Sequence, residues 1–535
     1  MRAMKTHTLV RQLRQVATIA AVSLLANAAQ AAAPGITGTS FALDAAAAYI
    51  TQPDGSAIYS WGYGCTTPAA AGTFRPTTIA GGNCPTMQLP GPTLIVTQGQ
   101  TVTVTLTNNL PTRAGATSIL FPGFTLTSTS GGSAGLLTQE AAAGGGTVSY
   151  TFVASNAGTH SYYSGTQSDL QIEMGLYGAI IVLPSTPPPV CTAGLPTTRP
   201  GGNALARTNS GEADFRLADA AFNHNDSCYD REYLFQFSEI DPRIHRAAEE
   251  IVNCVTRCPG NMDTVATEPY LPAYYMINGR SMPDDMDPNY SMQYPHQPYN
   301  GNPHMHPGEL TLLRIIGQGR WQHPFHEHGN HVRVLARDGN LLLAPGTVGA
   351  TTPLAGPLMF TTTTTPGQTI DGIFQWTGKG LNWDVFGHGS KDGAPVTTDD
   401  VCVPDANGYY TGGAATSAQN YYEWCGDHNK ALESKPFGSV GSGGPVTLPD
   451  PAIVANGPWY SGSPYLGGEA TTRAVGSTPI PPSGTVANSP TDEAGFAYMW
   501  HSHNEREITT NNIFPGGMLM MMLVDPRAYV IDESK

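Results

Sequence analysis

The chain has 535 residues, enough at about 150 residues per domain for more than one hydrophobic core. Charged residues are only 13% and hydrophobic residues 40%, while 61 glycines and 44 prolines favour short strands separated by turns. Acidic side chains outnumber basic ones by 41 to 26, so the surface lacks the cationic excess that neutralises phosphates, and nucleic acid is excluded as a main partner.

The chain opens with Arg2, Lys5, Arg11 and Arg14, an apolar core from Val16 to Leu25, and then Ala29-Gln30-Ala31. This is the pattern of a secretory signal peptide over 1–31, cleaved after Ala31, and it predicts a secreted or periplasmic protein. No later apolar run approaches the ~18 residues of a transmembrane segment. From 40 to 185 the pattern is strand and turn: PGPTLIVTQGQTVTVTLTNNLP alternates with period two between Pro, Gly and Asn, and GTVSYTFVASNAGTHSYY and MGLYGAIIVLP add strands. Residues 186–228 begin with a Pro, Gly and Thr-rich stretch of almost no apolar periodicity and read as a linker.

A second domain is expected over 229–526. REYLFQFSEI reads as a strand, and Ile244, Ala247, Ala248 and Ile251 recur at helical spacing in RIHRAAEEIVNCV. Strands follow at GELTLLRIIGQG, HVRVLARDG and QTIDGIFQWTG. About 386–494 the chain turns Gly, Ser, Pro and Asn-rich, too long for an ordinary connection; it reads as an insertion, with a compressed third domain as the alternative. Strands at GFAYMW and GGMLMMMLVDP close the domain. The eight cysteines of an exported chain read as disulfides. Proximity suggests Cys65 with Cys84, Cys254 with Cys258 and Cys402 with Cys425, among the 105 connectivities that eight cysteines allow.

Fifteen histidines are present, and two groups of them are patterned. One is Trp321-Gln322-His323-Pro324-Phe325-His326-Glu327-His328, with His331 beyond; the other is Trp500-His501-Ser502-His503-Asn504-Glu505-Arg506-Glu507. Residues two apart on a strand share a face, so His326 with His328, and His501 with His503, can each aim two imidazoles at one point. Two such pairs suit copper, zinc or iron, and nearby carboxylates would also admit manganese. Between Met276 and His306 lie Met282, Met286, Met292 and Met305 with His296 and His304. A packed surface loop is the plain reading, and Cu(I) binding by soft thioethers the alternative.

The stretches HPFHEHG, GLYGAIIV, PGPTLIV and NNLP resemble the multicopper oxidase family. The resemblance implies an all-β fold of tandem cupredoxin-like Greek-key β-sandwiches and a copper cofactor. It also implies four His-x-His pairs around a three-copper cluster, and a blue copper held by one Cys and two His. This chain departs from that pattern. Leu120-Phe121-Pro122-Gly123 stands where the family has its first pair, and Tyr163 and Gly165 stand where it has the second. Ser502 replaces the blue-copper Cys, Glu507 stands at the family's next His, His323 keeps the first blue-site His, and Met518 lies near the axial position.

The resemblance therefore implies a reduced, mononuclear or dinuclear metal site at His326, His328, His501 and His503, with His323, Glu505 and Glu507 as additional candidates. The same resemblance sets it near the first domain, with Tyr163 as a pocket wall or a core residue and His331 and His388 as outer residues. The expected function is an exported copper-binding protein acting on a small-molecule substrate as an oxidoreductase, unlike a laccase. The alternatives are non-catalytic copper delivery and a metal-free interaction scaffold with protein partners.

Overall fold

The computed structural model describes residues 33–191, 213–379 and 495–525, except for 68–72, 78, 80, 259 and 347–348. Short further pieces are described at 198–199, 202–203, 404–411, 422–424, 462–465 and 531–533. The expected signal peptide, Cys402, Cys425, His388 and most of 386–494 lie outside the described residues.

Period-two alternation builds the first sandwich. Along Thr101–Asn108 the side chains of Val102, Val104 and Leu106 are buried and the threonines face outward. There Thr103 and Thr105 meet Thr151 (3.1 Å) and Ser149 (2.8 Å) of the adjacent Gly146–Val153 strand. One five-stranded sheet runs in the order Ala57–Cys65, Ser40–Thr51, Thr101–Asn108, Gly146–Val153, Leu126–Gly131. The other runs Gly158–Tyr163, Tyr177–Leu183, Leu94–Thr97, Gly35–Thr37, Phe74–Arg75. Leu43, Val104 and Phe152 from the first and Leu94, Tyr162 and Ile180 from the second share one core.

The second sandwich begins at Arg231–Ile240, a strand buried along its whole length. Its larger sheet orders Tyr274–Ile277, Arg231–Ile240, Leu310–Gly317, Thr369–Gln375, Val332–Arg337 and Asn340–Leu341, with Leu358–Met359 beside Val332–Arg337. The facing sheet orders His304–Met305, Leu519–Val524, Gly495–Ser502, His323–Glu327 and Thr361–Thr364. Phe235, Ile315, Val334 and Phe374 pack against Phe325, Trp500, Met520 and Met522 between them. The described residues thus form an all-β fold of tandem cupredoxin-like sandwiches, as the resemblance implies.

The expected helix forms at Pro242–Val252, capped by the Asp241 carboxylate accepting from the Arg243 amide at 3.0 Å, with proline in its first turn. Its apolar face, Ile244, Ala248 and Ile251, joins the core of the first sandwich rather than the second. A polar junction also ties the two sandwiches. Asp371 accepts from the Thr159 amide (2.9 Å) and hydroxyl (2.6 Å), and Arg314 bridges Asp371 (3.4 Å) and Glu232 (2.9 Å), all buried. Asp371→Ala strips Arg314 of one of two carboxylates and orphans a buried amide. A destabilisation of about 2 kcal/mol is expected by urea denaturation.

Disulfides join Cys65 to Cys84 and Cys254 to Cys258, as proximity suggests, and Cys191 to Cys228 across 37 residues. The last joins the two ends of the 186–228 segment, whose Ala221 and Phe222 pack with Leu312 and Leu335 of the second sandwich.

Candidate metal centre

Antiparallel pairing sets His326 directly opposite His501, with Phe325 opposite Ser502 and Glu327 opposite Trp500. Since side chains alternate, Phe325 and Trp500 enter the core and the four histidines share the other face. Their rings form one cluster. Centroid distances are 4.5 Å for His326–His328, 5.0 Å for His326–His503, 5.2 Å for His328–His501, 5.4 Å for His501–His503 and 5.7 Å for His326–His501. His326, His328 and His501 are buried, while His503 lies at the rim with Glu505 Oε1 3.5 Å from its Nδ1. Glu327 points the other way, bonded by the Thr362 hydroxyl, and burial pushes its carboxyl up to about 8.

His501 Nδ1 lies 2.7 Å from the Ser502 carbonyl. A carbonyl only accepts, so Nδ1 carries the proton and Nε2 the lone pair of the neutral ring. His326 Nδ1 is likewise engaged, by Thr361 Oγ1 at 2.8 Å. Burial, reinforced by the neighbouring rings, lowers His328 to about 3 and His326 to about 4, and burial lowers His501 as well. These three rings are therefore neutral near pH 7, the state in which imidazole binds a metal.

His328 Nε2 and His501 Nε2 are 3.3 Å apart. Two nitrogens at that separation, each ~2.0–2.1 Å from a common ion, subtend roughly 105–110° there, an angle suited to a tetrahedral site. Among the described residues no set of three His, Cys, Asp or Glu closes on one point. The geometry therefore fits a two-nitrogen core with the His326 and His503 rings beside it.

His323 and Glu507 belong to a different arrangement. His323 Nε2 meets Glu239 Oε2 at 2.9 Å and its Nδ1 meets Glu507 Oε2 at 2.8 Å, all three fully buried. Ser502 also donates to Glu507 (2.5 Å), as does the Asn504 amide (2.8 Å). Burial alone would lower the His323 pKa, but bonds to both carboxylates push it up to about 9. Where the resembled family has its blue copper, this chain has a closed carboxylate–imidazolium–carboxylate network. Met518 lies in the core beside it, its amide on the Glu507 carbonyl at 2.8 Å.

A histidine whose folded pKa stands above its unfolded ~6.5 contributes stability that is complete below that value and is lost as pH rises toward 9. Unfolding free energy is thus expected to fall by on the order of 2–3 kcal/mol between pH 6.5 and 9.5. His323→Gln should flatten that slope in chemical denaturation; an unchanged slope would place the titration elsewhere.

The positions lacking the family's first-domain ligands meet one another but carry no metal donor pair. Leu120 bridges to Tyr163, its amide 2.7 Å from the Tyr163 carbonyl, and a side chain at Gly165 would strike Leu120. Phe121 packs in the core with its ring 4.8 Å from that of Phe152, and Tyr163 packs with the Ile50, Leu89 and Tyr177 cluster. A further His-x-His, His304 and His306, is buried at the opposite edge of the sheet. Its rings are engaged by the Asp525 carboxylate and, at 2.9 Å, by the Asp525 carbonyl. The methionines of the 276–306 run diverge: Met276 and Met305 are core residues and Met292 is 95% exposed.

Sequence reasoning missed Glu239 and Thr361. Glu239 carried a signal, being an acid in a strand that also holds Tyr233, Leu234, Phe235, Phe237 and Ile240, where burial demands a partner.

Residues 80–187 match the model of the multicopper oxidase family, which bears out the resemblance read from the motifs. No curated protein matches the chain. Among solved structures, the multicopper oxidase mgLAC aligns at TM-score 0.42 and 14% identity over 92% of this chain and 88% of its own. A blue copper oxidase from Nitrosomonas europaea aligns at TM-score 0.41 and 15% identity over 91% and 85%. The described residues contain no helix long and apolar enough to cross a membrane.

Proposed function

We propose that this divergent member of the multicopper oxidase family is an exported copper-binding protein whose single reduced site uses His326, His328, His501 and His503. The observation that carries the reading is the face-sharing histidine cluster, with two Nε2 atoms 3.3 Å apart and the three buried rings neutral at pH 7. Copper bound there would supply one-electron redox chemistry. The protein's own part is to shield three of the four rings from water and so hold those three neutral, and to orient His501 through the Ser502 carbonyl and His326 through Thr361.

Two features argue against a laccase-like reaction. No donor pair stands at Leu120, Pro122, Tyr163 and Gly165, and the thiolate that would relay electrons is replaced by Ser502, tied to Glu507. Copper carriage without turnover is the second reading, favoured by the same missing donors. Elemental analysis of protein exported from copper-supplemented cells tests the shared core of both. About one copper per chain, without an intense blue thiolate band, is expected; absence of any bound metal overturns them. An oxidase screen on the loaded protein then separates them.

A further inference from the structure

The outer face of the larger sheet in the second sandwich holds a feature that the metal reading does not use. Along Val332–Arg337, Val332 and Val334 point into the core, so His331, Arg333 and Leu335 share the opposite face. There they line a cavity of about 480 Å3 together with Leu310, Ile373 and Leu354, with exposed Asp226 on its rim. That volume lies within the range of small-molecule sites.

Three other arginines of this protein meet carboxylates. Arg231 pairs with Glu309 and Glu533, Arg314 with Glu232 and Asp371, and Arg216 with Asp214 and Asp219. Half-buried Arg333 instead donates one Nη1 bond to the Gly356 carbonyl at 3.3 Å, and no carboxylate pairs with it among the described residues. A guanidinium presents five donors in a planar fork that matches a carboxylate, and the Gly356 bond occupies only one of them. Burial lowers the His331 pKa, so that ring adds a neutral polar contact rather than a second charge.

We propose that this cavity binds a small apolar monocarboxylic acid, with the carboxylate on Arg333 and the hydrocarbon body against Leu310, Leu335, Leu354 and Ile373. The ligand would lie close to the metal cluster but separate from it. His331 and His326 contact the same Phe360 ring, at 5.3 Å and 5.7 Å between centroids. The proposal does not rest on copper being bound.

The test is isothermal titration of the full-length protein with 1-naphthoate and with its neutral counterpart 1-naphthamide. Saturable naphthoate binding is expected, weakened about tenfold or more by Arg333→Gln while naphthamide binding is little changed. Leu354→Trp should abolish both by filling the cavity. If that variant fails to fold, Leu358→Trp at the exposed cavity wall serves the same purpose. Absence of saturable naphthoate binding, binding indifferent to these substitutions, or equal loss of acid and amide in Arg333→Gln would overturn the assignment. Repeating the titration in His328→Ala/His501→Ala separates this site from the metal, since naphthoate affinity should there be unchanged.

Discussion

Replacing His328 and His501 together by alanine is expected to reduce bound copper from about one ion per chain to background. Their Nε2 atoms are the two donors that converge, 3.3 Å apart. Without them, His326 and His503 remain as a pair whose centroids are 5.0 Å apart, one buried and one at the rim. The loss should also appear as a loss of stabilisation. A ligand present at a hundred times its dissociation constant stabilises the folded state by about 2.7 kcal/mol, so copper should raise the melting temperature of the native protein and leave that of the variant unmoved. His331→Ala, outside the cluster, should retain copper. Equal copper content in the double variant and the native protein would show that the ion sits elsewhere, and the histidine cluster would then be structural.

Glu239→Ala is expected to cost about 3–5 kcal/mol of stability near pH 7, read as a lowered urea midpoint with unchanged slope. Glu239 Oε2 holds His323, while its Oε1 accepts from the Arg320 amide (2.7 Å), the Trp321 amide (2.8 Å) and the Tyr270 hydroxyl (3.1 Å). Truncation leaves an imidazolium with a single carboxylate, Glu507, and takes the acceptor from two partly buried backbone donors. Glu239→Gln keeps an acceptor for those amides and should cost less. In the double variant Glu239→Gln/His323→Gln the imidazolium and one of its two carboxylates are removed together, Glu507 keeps its bonds from Ser502 and the Asn504 side chain, and part of the stability should return. A double variant as unstable as Glu239→Ala would mean that packing, not charge, governs the site.

The sequence by itself determined what repeats over a few residues. The alternation of TVTVTLTN decided which side chains of Thr101–Asn108 face the core, and the helical spacing of Ile244, Ala248 and Ile251 decided the buried stripe of Pro242–Val252. Each His-x-His necessarily places two rings on one face of its strand. These properties follow from backbone geometry that any strand or helix obeys, so they need no knowledge of the partner.

Tertiary structure decided everything that depends on which distant elements meet. Only the register opposing His326 to His501 brings the two pairs into one cluster; a slip of one residue would turn one pair into the core. Spacing left Glu507 a candidate ligand, but the chain folds it onto His323 and Ser502. The third His-x-His is indistinguishable in pattern from the other two, yet its strand lies at the far edge of the sheet, where Asp525 engages it. The Asp371–Arg314–Glu232 junction and the Cys191–Cys228 bridge likewise join residues whose proximity no local periodicity encodes. The reason is physical: alternation specifies the face a side chain occupies, whereas a buried charge or ring finds its partner only when packing of the two sheets has fixed their register.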